Sequence, residues 1–252
     1  MSEQFHVLIP ARLASSRLPD KPLADLGGKC LVVRVLERAL AAGAASVHVA
    51  TDSERIAVAV EQAGGAVIMT RADHLSGTDR LVEAVARLDL PADRIVVNLQ
   101  GDEPLMPVSA IRRVVEVLAA DPEARMATLW QALDDERQWR DPNVVKLVAD
   151  EQGRALYFSR APVPWPRGRA FQAGDGCRHI GLYAYRVAAL AAWPDLPPSR
   201  LEALESLEQL RALAAGWAIA CGQAPEPVPP GIDTAEDLAR IRARHFQTIM
   251  TP

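Results

Sequence analysis

Four short apolar runs, at 7–9, 46–50, 66–69 and 94–99, alternate with amphipathic stretches, and this rhythm constrains the fold more than any other feature. Between the runs, apolar residues recur at helical spacing over 31–40, closed by Gly43, and over 54–63. Thr51-Asp52-Ser53 caps the second of these stretches and Gly64-Gly65 stops it, while a third spans 78–88 with Asp79 and Glu83 near its start. The run 94–99 has the continuous apolar centre of a strand covered on both faces, as parallel strands with crossover helices are. The alternation predicts an α/β fold with a doubly wound, mostly parallel sheet.

Past a helix over 108–119 the rhythm changes. Segments 126–133, 144–148 and 154–158 read as strands, the last two joined by Asp150-Glu151-Gln152-Gly153 as a hairpin. Pro162, Pro164 and Pro166 interrupt regular structure before a strand over 178–186. One helix over 199–215, a strand over 217–221, a proline-rich crossing and a final helix from Thr234 to about residue 248 complete the pattern. The expectation is a single domain, 1–252, with one half at about 1–125 and a smaller, more antiparallel lobe at about 126–230.

The 252 residues are 49% hydrophobic, enough for a substantial core. A net charge of −4 argues against a general nucleic-acid surface. Cys30, Cys177 and Cys221 are too few and scattered for a disulfide framework or a CxxC zinc site, which fits a reduced, cytoplasmic setting. The opening apolar stretch is short, contains His6 and follows Glu3, unlike a signal peptide, and no segment approaches the ~18 uninterrupted apolar residues of a membrane span. A soluble protein without membrane insertion is expected.

Chemistry concentrates first in the loop 9–22. It follows a strand end, where open α/β sheets gather ligands, and carries Arg12, Arg17 and Lys21. It is neither a Walker A loop nor a GxGxxG loop, so a phosphate would be held mainly by these cations. Asp102, in Gln100-Gly101-Asp102-Glu103-Pro104 directly after the fourth run, belongs at the same cleft edge and suits Mg²⁺, which takes one or two protein carboxylates. Asp233 precedes a helix that Thr234 and Asp237 can cap as a box, leaving Asp233 itself unexplained and a candidate second metal ligand. Each feature alone also has an ordinary reading, as a solvated basic loop or a turn acid. Together they suggest metal-assisted nucleotidyl transfer.

Ile9-Pro10-Ala11-Arg12, Ser15, Arg17, Leu18-Pro19, Lys21-Pro22, Ala50-Thr51-Asp52, Thr70-Arg71-Ala72-Asp73-His74 and Ser76-Gly77-Thr78 follow one another along the chain. Next come Asn98-Leu99-Gln100-Gly101-Asp102-Glu103-Pro104, Tyr157-Phe158-Ser159-Arg160, Arg178-His179-Ile180-Gly181 and Leu207-Glu208-Gln209-Leu210-Arg211. In this order and over nearly the whole chain they resemble the 3-deoxy-manno-octulosonate cytidylyltransferases, the CMP-Kdo synthetases. The resemblance implies the nucleotide-diphospho-sugar transferase type of fold and a cytoplasmic homodimer. It also implies formation of CMP-Kdo and pyrophosphate from CTP and the acidic sugar Kdo for lipopolysaccharide biosynthesis.

Carried over by residue, it implies triphosphate contacts at Arg12, Lys21 and Arg17, nucleoside-side loops at Ser76 and Gly77, and magnesium on Asp102 and Asp233. Gln100, Arg160, His179, Tyr183, Glu208 and Gln209 resemble the Kdo-site positions, Arg160 suiting the sugar's carboxylate. Half 1–125 would then bind nucleotide and lobe 126–230 sugar and dimer partner. The sister CMP-sialic acid synthetases usually carry a Gly-Ser-Lys-Gly type run where this chain has Ala14-Ser15-Ser16-Arg17. Ser16, Asp20 and Cys30 depart from the family's frequent Thr, Gly and Pro, and segment 167–176 diverges. Another sugar-nucleotide synthetase on the same fold, for sialic acid or a modified Kdo, and a catalytically silent nucleotide-binding protein are the competing readings.

Overall fold

The computed structural model describes residues 4–14, 18–74 and 76–246. Its first half alternates as the spacing predicts: β1 (Phe5–Ala11), α1 (Leu31–Ala41), β2 (Ser46–Thr51), α2 (Glu54–Gln62), β3 (Ala66–Met69), α3 (Gly77–Leu88), β4 (Ile95–Asn98) and α4 (Val108–Ala120). β1 pairs in parallel with both β2 and β4, and β2 with β3. Val7 and Ile9 enter one buried cluster with Val32, Ile56, Val60, Ile111 and Val114 of the helices on that face. Leu8 turns to the other cluster, with Val96 and with Leu81, Ala84 and Val85 of α3. Burial on both faces is why the run 7–9 is continuously apolar instead of alternating.

The second half runs β5 (Met126–Ala132), α5 (Glu136–Arg140), β6 (Lys146–Ala149), β7 (Ala155–Ser159), β8 (Cys177–Arg186), α6 (Val187–Ala192), α7 (Arg200–Glu205), α8 (Gln209–Ala214), β9 (Ile219–Gln223) and α9 (Ala235–His245). The main sheet has the order β3-β2-β1-β4-β8-β5-β9, with β8 the strand that runs against the others. β5, β8 and β9 thus extend the sheet of the first half, and the hairpin β6–β7 stands off that path, joined through β6 to β8. β8 can lie centrally because Ile180, Leu182 and Ala184 face one core while Tyr183 and Tyr185 face the other.

The single helix expected over 199–215 is two short helices. Ser206 adopts φ 51°, ψ 51°, a left-handed conformation that ends α7, and α8 begins after Glu208. Leu201 and Leu204, which share one side of α7, are exposed, and α7 buries none of its residues. The short helices α5 and α6 lie where the sequence pattern predicts no helix. At the C-terminal end, Thr234 and Asp237 form the expected capping box on α9. A small cluster of Leu26, Leu31, Ile232 and Ile241 docks this end of the chain beside the opening loop.

Candidate active site

The C-terminal ends of β1, β2 and β4 lie side by side, so the segments that follow them share one rim of the sheet. Gly101 is required there: a Cβ on it would stand 2.8 Å from the Pro10 carbonyl oxygen. Its absence lets the loop after β4 lie against the loop after β1. The buried Ile232 then brings Asp233 across, its N–H donating to the Asp102 carbonyl at 2.9 Å. At this junction the Lys21 ammonium donates to Asp102 Oδ2 at 2.7 Å, to Asp233 Oδ1 at 3.2 Å and to the Ile232 carbonyl at 2.9 Å. The two acids singled out from the sequence therefore converge, on a lysine from the opening loop. Burial and then the neighbouring Asp102 charge raise the Glu103 carboxyl to about 8, so it adds no third negative charge at neutral pH.

A cavity of about 350 Å³ opens over this cluster, walled by Arg12, Lys21, Ser76, Gly77, Arg80, Gln100, Asp102 and Asp233 among others. Arg12 is exposed and makes no hydrogen bond or ion pair among the described residues, which leaves its guanidinium available to an anion. Arg17 lies outside the described residues. Ser76 caps α3 by accepting the Asp79 N–H at 3.2 Å, so Ser76 and Gly77 meet the cavity at a helix start. The loop before them is pinned by Glu83, which accepts from the Arg71 N–H, His74 and Arg87. Burial pushes the Glu83 carboxyl up, but these donors outweigh it and hold the group down at about 2.

A second cavity of about 200 Å³ continues from the first, the two sharing Gly77 and Gln100. Thr78, Asn98, Tyr183, Tyr185, Ser206, Leu207, Glu208 and Gln209 complete its wall. Thr78 donates its hydroxyl to Glu208 Oε2 at 2.6 Å, tying helix α3 to the break between α7 and α8. Asn98 Oδ1 and Gln209 Nε2 are buried without a hydrogen-bond partner among the described residues, so both have bonding capacity to offer a ligand in this cavity. No cationic side chain lines this second cavity among the described residues.

His179 and Arg160 stand behind that wall. His179 packs against Tyr183 with ring centroids 5.3 Å apart, and its Nε2 lies 2.9 Å from the Thr128 hydroxyl. Burial and then the Arg178 charge lower its pKa to about 3, so the ring is neutral and supplies no cation. The Arg160 guanidinium donates to the carbonyls of Glu205, Pro142 and Ser206 at 2.6, 2.9 and 3.4 Å. It braces the segment that carries Glu208 and does not line either cavity.

Sequence reasoning singled out neither Arg80 nor Asn98 and Tyr185 as site residues. Arg80 is only 2% exposed, donates to Thr70 Oγ1 and lies 3.4 Å from Asp52. Its signal was present, an arginine on the apolar side of α3 with an aspartate after β2, but the pattern reads as a helix surface without the third dimension.

A cytidylyltransferase family model matches residues 6–219. The chain belongs to that family. It is 51% identical over 246 residues to a 3-deoxy-manno-octulosonate cytidylyltransferase of Alcanivorax borkumensis, covering 95% of this chain and 98% of the relative. It is 52% identical over 245 residues to the enzyme of that name from Yersinia enterocolitica, covering 95% and 97%. Among solved structures, a CMP:2-keto-3-deoxy-manno-octonic acid synthetase complexed with CTP superposes with a TM-score of 0.89 at 43% identity, covering 96% of this chain and 98% of the other. HddC from Yersinia pseudotuberculosis, at 14% identity and TM-score 0.66, shares the fold. The mixed α/β sheet of this cytidylyltransferase is thus that of the CMP-Kdo synthetase structure.

Proposed function

We infer that this cytidylyltransferase activates Kdo with CTP, giving CMP-Kdo and pyrophosphate. The observation that carries the reading is the pair of joined cavities. One is lined by cations and two acids, the other by neutral polar groups and Glu208, and they meet at Gln100 and Gly77. The first suits a triphosphate and the second a polyhydroxylated sugar, with the α-phosphorus at the junction. The Kdo 2-hydroxyl attacks that phosphorus in line, a new P–O bond forms, and the bond to pyrophosphate breaks.

Arg12 binds the triphosphate, and the N-terminus of α3 at Ser76 and Gly77 holds the nucleoside side. Glu208, fixed by Thr78, and Gln209 orient the sugar hydroxyls, while Gln100 contacts both substrates. The sugar's carboxylate, finding no cation in its own cavity, is directed to the junction beside Arg12 and Lys21. The donor set fits magnesium: two hard carboxylate oxygens, of Asp102 and Asp233, converge within 3.2 Å of one cation, the Lys21 ammonium. Bound there by Asp102 and Asp233, the ion would neutralise phosphate charge and lower the pKa of the attacking hydroxyl.

A homodimer is part of this reading. The exposed Leu156 on β7 and Leu204 on α7 support the hairpin region as its interface, which light scattering of the purified chain tests. The reaction belongs in the cytoplasm, where Cys30, Cys177 and Cys221 stay reduced.

Pyrophosphate release measured with CTP and either Kdo or N-acetylneuraminic acid tests the assignment. Release with Kdo and its absence with the sialic acid is expected, and the reverse preference overturns it. With ¹⁸O in the Kdo 2-hydroxyl, the label should appear in CMP-Kdo and not in pyrophosphate.

A further inference from the structure

We propose that Glu205 is a positioning residue for the sugar substrate: its carboxylate clasps the wall of the second cavity to strand β7 and thereby sets where Glu208 and Gln209 stand. The inference rests on the assignment of that cavity to the sugar.

Helix α7 has no buried residue, and its Leu201 and Leu204 are exposed, so apolar packing does not fix its position. Polar contacts do: Arg211 of α8 donates to Glu202 at 2.7 Å, and the C-terminal end is held to β7 by Glu205. The Glu205 carboxylate accepts the Ser159 hydroxyl at 2.8 Å and the Arg160 backbone N–H at 2.9 Å, with the Tyr157 hydroxyl at 3.5 Å. In return the Arg160 side chain donates to the carbonyls of Glu205 and Ser206, so the clasp closes from both sides. Beneath it the fully buried Lys146 ammonium donates, among the described residues, only to backbone carbonyls, of Asp141, Val144 and Arg160. The Glu205 carboxylate is one of the two acidic charges, with Asp141, that favour its charged form.

What is clasped is a short, strained lever. Ser206 follows at positive φ without being glycine, and Ser206, Leu207, Glu208 and Gln209 then all line the second cavity. A turn held at one end by Glu205 and at the other by the Thr78 hydroxyl on Glu208 places the sugar-side groups relative to the nucleotide-side helix. Because none of Glu205, Ser159 and Arg160 lines the first cavity, nucleotide binding is insulated from the clasp.

The test compares Glu205→Ala, Glu205→Gln and Ser159→Ala with the parent for Kdo KM, CTP affinity by calorimetry and melting temperature. Glu205→Ala should raise the Kdo KM about tenfold or more, the factor for losing a hydrogen bond to a charged group, with CTP affinity within about twofold. Glu205→Gln keeps one acceptor oxygen and should recover part of the loss, and Ser159→Ala should move the same parameter by less. An unchanged Kdo KM in folded Glu205→Ala overturns the proposal, as does an equal weakening of CTP. If Glu205→Ala does not fold, Ser159→Ala decides alone: a Kdo KM equal to the parent's overturns the clasp. A parent that releases no pyrophosphate with Kdo overturns the cavity assignment instead, which separates the two failures.

Discussion

Replacing Lys21 by Met isolates what its ammonium does between the two acids. In the protein it contacts Asp102 and Asp233 at 2.7 and 3.2 Å, and its side chain is 15% exposed against 31% and 50% for the acids. Ion pairs with exposed partners contribute about 0.2–1 kcal/mol each, and the well-covered ammonium places these two near the top of that range. Their sum, about 1–2 kcal/mol, is what a divalent cation must displace to reach both carboxylates in the free enzyme. Lys21→Met removes the competitor and leaves the two acids facing each other, so affinity for Mn²⁺ in the absence of nucleotide should rise about 5- to 30-fold. CTP affinity should fall in the same variant, because a triphosphate-side cation is lost. The free Mn²⁺ signal in electron paramagnetic resonance, titrated with protein at constant pH and ionic strength, measures the first effect directly. An unchanged or reduced Mn²⁺ affinity would refute the reasoning and separate the acids from any metal site.

Asp102→Asn and Asp233→Asn, checked for folding by circular dichroism, should each lower turnover on the order of 10²-fold or more in a pyrophosphate assay. Thr78→Val frees Glu208 from its 2.6 Å hydrogen bond and should raise the Kdo KM about tenfold while leaving CTP affinity unchanged, as read by substrate titrations. The neutral His179, with its pKa lowered to about 3, makes stability fall as the medium is acidified. The unfolded chain takes up a proton below about pH 6.5 that the folded chain refuses until about pH 3. Stability therefore rises with pH across that window, by at most about 1.4 kcal/mol per pH unit from this group. Urea unfolding at several pH values should show the slope, and His179→Gln should reduce it.

The first half of the sheet was legible because its signal is local. Val7, Leu8 and Ile9 are apolar together only because both faces are covered, and each intervening helix announces itself by period and cap. Asp102 was legible for the same reason, as the acid that follows a strand. Its convergence with Asp233 was readable only as a requirement, since Ile232 and the small cluster around it, not any local pattern, bring the two loops together. The break at Ser206 was not legible: neither serine nor its neighbours signal a left-handed residue, and the stripe of Leu201 and Leu204 imitates a buried helix face. Arg160 illustrates the converse. Its place in a motif marked it for the sugar carboxylate, yet three backbone carbonyls surround its guanidinium, a relation no sequence spacing encodes. Arg80 escaped notice because burial of a charge by Asp52 and Thr70 depends on contacts between separate loops.

Pyrophosphate release from CTP and Kdo, with Mg²⁺ and with the metal chelated, tests the central claim most directly, because it demands donor, acceptor and metal of one cleft. Release only when all three are present is predicted. Release from CTP without Kdo, undiminished release in excess chelator, or tight CTP binding with no release at all would contradict the account.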